Sequence, residues 1–420
     1  MSLSSMPRQA PAGAASVLLV LALINLGAYA IRNALFAVYP DLSARYDINY
    51  TQIGFLQTVF MVPHAIATLP FGWAGDVYDR RRVISFGLVM AAIGCALGGI
   101  GHNHYALIAT RACVGLGTAA VVPVANSILA QLYEGPNKAS RMAIFNLGLF
   151  LGGVVGFGSG TAFGFPLVVF VLAIPVIVLA VILLYMPVPD HKVPAPSVPA
   201  YKYLWDFSEH FLTEARYLLR IVTLRWVLLS TIFMAFAAGG YNAFLLEYLK
   251  KGKGMSEKAA TSVLIVALFA ALAGIVAGGF VGDKLRAKRR NGRLWVIAAG
   301  MTLSMPAAAF AIEVPPGPLL YLAGVLTMFC FSLYHAPMAA SVDDLAPPGK
   351  QVAAQGLIIG VMHLFGTAPS SWILGFISSR TSLTTAMWVP IGALAVAAVC
   401  MMAATRTFAA DYARSRRAGG

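Results

Sequence analysis

Five ionisable side chains lie where ionisable side chains are expensive. Arg32, Arg111, His64, His335 and His363 all fall inside long apolar runs of the 420-residue sequence. An arginine at the centre of a membrane helix costs about 2.5–3.5 kcal/mol even on insertion-derived scales, so such a residue is expected to have a function. A guanidinium presents a planar fork of N–H donors that suits a carboxylate, phosphate or sulfate. An imidazole titrates near neutral pH and can sense a proton, although a neutral histidine held in packing by a hydrogen bond fits the same pattern. Arg111 has a structural alternative too: bracing backbone carbonyls or snorkelling outward. All 16 acidic residues fall at the ends of apolar runs, in loops, or in the linker and tails, with Glu247 and Glu313 nearest to membrane depth. The apolar interior therefore carries cations without carboxylates, and the ligand to expect is an anion, with room for an apolar tail. Tyr29, Asn33, Asn126, Asn146, Tyr241, Asn242 and Tyr334 are candidates to orient its polar head. Aromatic residues at helix ends also serve as interface anchors.

Bond-making chemistry is not provided for. No HExxH, GxSxG or carboxylate pair lies at membrane depth, and no GxxxxGK[ST] loop occurs, which argues against an embedded enzyme or an ATP-driven pump. Cys95, Cys113, Cys330 and Cys400 all sit in apolar runs, none in a CxxC. They read as small packing residues, and neither a disulfide, a metal nor a cofactor is expected.

These residues must be held by elements of an unusual composition. Hydrophobic residues make up 59% of the chain and charged residues 11%, against about 45–50% and about 25% in soluble domains. Too little charge remains to cover a soluble surface. A spanning helix needs about 20 mostly apolar residues, and twelve runs qualify: 15–39, 51–74, 83–101, 105–132, 142–162, 166–187, 225–249, 257–281, 294–313, 318–341, 352–379 and 385–404. The first run is too long for a signal-peptide core and is expected to remain as a helix. The polar gap 188–224 divides the runs six plus six. Of the 30 lysines and arginines, 22 fall on one side of the resulting topology, six on the other and two inside helices. That bias places both termini in the cytoplasm. It also explains the net charge of +14 without nucleic acid, for which no motif is present. The expected domains are a tail 1–14, a six-helix bundle 15–187, a linker 188–224, a second bundle 225–404 and a tail 405–420. In the linker, Leu204, Phe207, Phe211, Ala215, Leu218 and Val222 recur at helical spacing, which predicts an amphipathic helix on the inner membrane surface.

The two halves echo each other. The loop after the second run reads Gly72-x-x-Gly75-Asp76-Val77-x-Asp79-Arg80-Arg81-Arg82, and that after the eighth reads Gly279-x-x-Gly282-Asp283-Lys284-x-Arg286. Two G-x-x-x-D loops with basic clusters, in register in each half, resemble the signature loop of the major facilitator superfamily. The fourth run adds Arg111-x-x-x-Gly115-x-Gly117, also resembling that family. The fifth carries Gly148, Gly152, Gly153, Gly156, Gly158 and Gly160, small residues that let helices approach in lipid. The resemblance implies two six-helix bundles that rock about a midplane site. It also implies that Gly72, Asp76, Asp79, Arg80, Arg81, Gly279, Asp283 and Arg286 form an inner gate, with Gly72 allowing close helix contact. Val77 and Asp79 depart from the family pattern, which suggests a rewired network with Asp79 paired to a nearby arginine. The alternative is that the basic residues serve topology only.

A narrower resemblance is to the spinster family of lipid-related transporters. It rests on His363-x-x-Gly366-Thr367-Ala368-x-Ser370 with Gly375-x-Ile377-Ser378, on Tyr29-Ala30-Ile31-Arg32, and on Gln57-Thr58-Val59-Phe60. Ile31, Thr118 and Thr367 stand where that family carries acidic residues, so its proton coupling does not transfer. The reading is then an all-α, multi-pass protein of the cell inner (plasma) membrane, monomeric, binding a small-molecule or lipid substrate. Arg32 and Arg111 are expected to face one cavity with Tyr29, Asn33, Asn126, Tyr241, Asn242 and Tyr334; His64, His363 and His335 are possible proton sensors. A proton-coupled exporter of hydrophobic compounds, a small organic-anion exchanger and a non-transporting sensor remain as alternatives.

Overall fold

In the computed structural model of the chain, residues 13–133, 138–188, 213, 215–346 and 351–417 are described. All regular structure among them is helical. The first part runs α1 (Ala14–Ala37), α2 (Tyr39–Tyr46), α3 (Tyr50–Val77), α4 (Arg80–Ile100), α5 (His104–Thr118), α6 (Val121–Leu132), α7 (Lys138–Phe163) and α8 (Leu167–Leu184). The second runs α9 (Val222–Glu247), α10 (Glu257–Lys288), α11 (Gly292–Glu313), α12 (Pro318–Ser332), α13 (His335–Leu345), α14 (Gln351–Val361), α15 (Ala368–Arg380) and α16 (Leu383–Arg417). Eleven helical stretches among the described residues are long and apolar enough to cross a membrane. The remaining expected run, 51–74, falls on the 28-residue α3, some of whose side chains lie outside the description.

Three expected single spans are interrupted. The run 105–132 breaks at Ala119–Ala120 and the run 318–341 at Leu333–Tyr334, while the run 352–379 passes through a π-helical segment, Met362–Thr367. Proline explains the positions. It lacks an N–H and so frees the carbonyl four residues before it. Pro123, Pro337 and Pro369 free the carbonyls of 119, 333 and 365, each of which lies in an interruption. Pro63, Pro70, Pro175, Pro306 and Pro390 sit inside unbroken helices, so the missing donor permits a break without imposing one.

Contacts divide the chain into two compact units, Met1–Ile48 with Val59–Pro199, and Asn49–Thr58 with Ala200–Gly420. In the first unit, α7 lies along α1 through one ridge of small residues. A Cβ on Gly148, Gly152 or Gly156 would run into the backbone carbonyls of Ala22, Leu26 and Ala30, whereas Gly153 and Gly158 face open space. Spacing of four residues is the period of one helix face, so the ridge glycines serve contact and the others do not. The α4–α5 contact is as tight, with Gly87 and Gly117 facing each other's backbone.

The second unit has an apolar core at one end of its bundle, built from Leu224 and Val227 of α9, Leu294 and Ile297 of α11, Val342 of α13, and Met401 and Phe408 of α16. Ala215 and Leu218 from the end of the expected linker helix are buried in this core, and Arg216 and Arg220 are exposed. The apolar stripe expected on the membrane surface is therefore covered, at these two positions, by the unit itself. Leu204, Phe207 and Phe211 lie outside the described residues. Of the expected tail 405–420, residues 418–420 lie outside the described residues and 405–417 continue α16 as helix. Its Asp411 accepts from the backbone N–H and the hydroxyl of Thr223, both at 2.8 Å, satisfying a donor of the first turn of α9 that no intrahelical carbonyl can reach. The unit also holds the first turns of α3, where the Gly54 backbone abuts that of Ser371 and the Gly375 backbone that of Tyr50.

These contacts give a direct test. Gly117→Ala would press a methyl onto the Gly87 carbonyl and the Ala91 nitrogen and should cost about 1–3 kcal/mol, the range for overpacking. Gly153→Ala should leave the thermal midpoint in detergent unchanged or slightly raised, since alanine is the better helix former by about 1 kcal/mol.

Candidate functional site

The first unit has a small recess, about 20 Å³, lined by Asn25, Ala28, Tyr29, Arg32, Phe60, His64, Thr118, Val121 and Val122. Helix α1 supplies Arg32, one turn from Tyr29; α3 supplies Phe60 and His64, again one turn apart. The Arg32 guanidinium carbon stands 5.5 Å from the Phe60 ring centroid and 5.7 Å from that of Tyr29. Stacking on aromatic faces stabilises a cation by about 0.5–2 kcal/mol and leaves its N–H donors unused. Arg32 Nε is buried with no hydrogen-bond partner. The His64 ring stacks on Phe60 at 5.6 Å, and its Nδ1 lies 3.2 Å from both the Gly115 carbonyl and the Thr118 hydroxyl. A carbonyl only accepts, so a proton on Nδ1 serves that contact. Thr118 thus holds a histidine at a position where the resembled family has an acid.

Arg111 on α5 also approaches Phe60, at 4.9 Å, but it does not line this recess. It faces a separate cavity with Ile31, Leu35, Cys95, Val114 and Leu172 among its walls. The expectation of two arginines facing one cavity is corrected here. They share an aromatic ring and open on different spaces, because they reach Phe60 from different helices.

The other expected ligand residues are scattered. Asn33 is buried, and its amide donates to the Tyr29 carbonyl one turn back at 2.8 Å. Asn126 is half-buried on α6 and lines neither cavity, and Asn146 is exposed on α7. In the second unit, the Tyr241 hydroxyl donates to the Met387 carbonyl at 3.5 Å, and Asn242 is exposed. Tyr334 and His335 flank the α12–α13 break with their rings stacked at 4.1 Å. His363 sits in the π-helical segment with Nδ1 3.3 Å from the Thr367 hydroxyl. Phe60 figures in the sequence only as the end of the Gln57-Thr58-Val59-Phe60 motif, with no part in the site, and Asn25 not at all. Phe60 had a signal, an aromatic one turn before His64; Asn25 had none beyond being an amide in an apolar run.

The paired motifs, expected as loops, are mostly helical: residues 72–77 end α3 and residues 279–286 lie within α10, so that only Tyr78 and Asp79 interrupt the helices. They are organised differently in the two units. In the first, Asp79 caps α4, accepting from the Arg81 backbone N–H at 2.9 Å. It also pairs with the Arg81 side chain at 2.9 Å, as its departure from the family pattern suggested. Arg80 is buried and donates from Nε to the Gly75 carbonyl at 3.1 Å. The Asp76 side chain lies outside the described residues. In the second unit Arg293 bridges Asp283 at 2.6 Å and Asp344 at 3.0 Å, and Arg286 meets Asp344 at 3.2 Å. Arg286 also lies 5.1 Å from the Tyr412 ring centroid. Arg293 and Asp344 were not foreseen, since each comes from a different helix than the loop. One glycine assignment is corrected. A Cβ on Gly72 would meet nothing nearer than Pro123 at 3.9 Å, and one on Gly279 only Ala336 at 3.5 Å. The close approaches are at Gly75, against Val124, and Gly282, against Pro337, because those glycines are the ones turned toward the neighbouring helix.

The family profile described as Major Facilitator Superfamily matches residues 21–367. Protein spinster homolog 3 of Danio rerio is 26% identical over 386 residues, covering 86% of this chain and 76% of its own length. Protein spinster homolog 1 of Homo sapiens is 23% identical over 393 residues, covering 88% and 74%. A crystal structure described as a bacterial homolog to the human lysosomal transporter spinster, inward-facing and unoccupied, superposes with a TM-score of 0.83. It does so at 19% identity over 96% of this chain and 99% of that one, a likeness of fold.

The Asp79 pair predicts a pH dependence. Hydrogen bonds from Arg81 hold the Asp79 carboxyl below its ordinary value, so its contribution to stability is full above the ordinary carboxylate range near ~4 and fades as pH falls through the lower folded value. Asp79→Asn keeps a capping oxygen and removes the charge. The variant should be less stable than the parent by a few tenths to about 1 kcal/mol at neutral pH, and thermal unfolding should show the gap closing in acid.

Proposed function

The chain belongs to the Major Facilitator Superfamily, and from that premise we propose that it carries an organic anion, with room for an apolar tail, by alternating access. It is a multi-pass membrane transporter and not an enzyme; we assign it to the plasma membrane. Transport in such a fold is a rocking of two bundles about a midplane site. The observation that supports an anionic cargo is Arg32, whose buried Nε has no hydrogen-bond partner and whose charge is stacked on Phe60 and Tyr29. Ring faces stabilise this charge without accepting from it, which leaves the buried Nε–H for a ligand. An oxyanion entering the recess gains charge-assisted hydrogen bonds worth about 1.5–3 kcal/mol without first breaking an ion pair. Among the described residues no carboxylate lines the recess, which suits an anion and disfavours a cationic cargo. A lysophospholipid, a sphingoid phosphate and a small carboxylate all meet this description. His64 is the titratable group that shares the recess. We assign the two G-x-x-x-D motifs to the inner gate, where Asp79 with Arg81 and Asp283 with Arg293 would order the helix ends that carry them.

Two measurements test this reading. Thermal-shift titration of the purified protein with lysophospholipids, sphingoid phosphates and mono- and dicarboxylates should identify an anionic ligand that stabilises it. Arg32→Gln should weaken that ligand at least tenfold, the equivalent of about 1.4 kcal/mol, and Arg32→Lys should fall between. Equal affinity in Arg32→Gln sinks the anion-site assignment. For the gate, Asp76→Asn should move spin-label distances across the inner face toward the inward-facing distribution, and an unmoved distribution would count against it.

A further inference from the structure

The cavity at Arg111 is left over by the substrate reading. It is a small cavity of about 20 Å³, room for one small ion, walled by α1, α4, α5 and α8 of the first unit. Arg111 is 4% exposed, and its Nε and Nη2 are both buried without a hydrogen-bond partner. The titratable groups near enough to act on it are the Tyr39 phenol, the Cys95 thiol and Arg32. None of these is an anion at neutral pH in its ordinary state. The other polar groups of the wall are engaged elsewhere. The Thr110 hydroxyl donates to the Leu107 carbonyl at 3.0 Å and the Cys95 thiol to the Val169 carbonyl at 3.6 Å. What faces the space is therefore a buried cation with unused donors, surrounded by hydrocarbon.

We propose that this cavity is a structural binding site for a halide ion, chloride under ordinary conditions, held by Arg111. A buried charge needs a counter-charge, and buried N–H groups need an acceptor. A halide supplies both and asks for nothing else, since it has no O–H to place and tolerates apolar walls. A carboxylate or phosphate brings further oxygens that would be left unsatisfied against apolar residues such as Ile31, Leu35 and Leu172, at the cost of a buried unpaired polar group. Water accepts the hydrogen bonds but leaves the charge uncompensated. Because the walls come from four helices of one unit, the ion acts as a tie within that unit. Its effect is on the stability of the bundle, separate from cargo binding at Arg32.

The test is thermal unfolding of the purified protein at constant ionic strength, with chloride replaced stepwise by gluconate. The parent protein should melt several degrees higher in chloride, following mass action, and bromide should substitute for chloride. Arg111→Gln should abolish the dependence, while Arg32→Gln should retain it, so failure here and failure of the cargo reading are distinguishable. A melting point indifferent to chloride overturns the proposal, as does a dependence that survives in Arg111→Gln. Should Arg111→Gln fail to fold, crystals of the parent protein in bromide decide the matter. An anomalous peak within hydrogen-bond reach of the Arg111 guanidinium supports the site, and its absence there overturns it.

Discussion

Phe60 is fixed at the point where α3 and α5 touch backbone to backbone, and the charged interior of the first unit is arranged around it. Gly115 faces the Phe60 carbonyl so closely that any side chain there would collide with it. That contact sets the height of the Phe60 ring relative to α1 and α5. Two guanidinium groups and an imidazole then gather on one aromatic ring. A ring face attracts a cation without supplying an acceptor. It therefore lowers the cost of charge in an apolar bundle while leaving hydrogen-bonding capacity open. A carboxylate in the same place would neutralise the arginines and close the site to anions.

Much of the architecture was legible in the amino-acid order because lipid imposes a simple rule on it. Every spanning segment must be apolar and helical, so the runs, the midpoint gap and the repeated loop could be read directly. Arg32, Arg111 and His64 were legible for the same reason, as exceptions to that rule. What could not be read is side-chain direction. That Arg32 and Arg111 open on different cavities depends on which way each leaves its own helix, and no spacing rule connects α1 to α5. The same holds for Gly75 against Gly72, three residues apart, of which only Gly75 is pressed onto α6. Asn33 looked like a ligand residue because it is polar at membrane depth; a carbonyl one turn back was enough to satisfy it.

The interruptions are a middle case. Proline positions were visible, but of the eight prolines named above only three coincide with a break or π segment. Pro123 follows the glycine-rich turn that holds His64, and Pro369 follows the π segment that carries His363. Each therefore loosens the backbone beside an ionisable residue, where a π-helical turn is a frequent feature of functional sites.

Asp411 on the Thr223 backbone has a consequence for how the chain is made. The first turn of α9 is completed by a residue 188 positions later, and the first turns of α3 contact α15 across more than 300 positions. Contacts at such separation form late and slowly. During synthesis the second unit must wait, with one of its elements already inserted, until Asp411 has been made. Its assembly is the period in which a membrane chaperone or a quality-control protease would meet it incomplete.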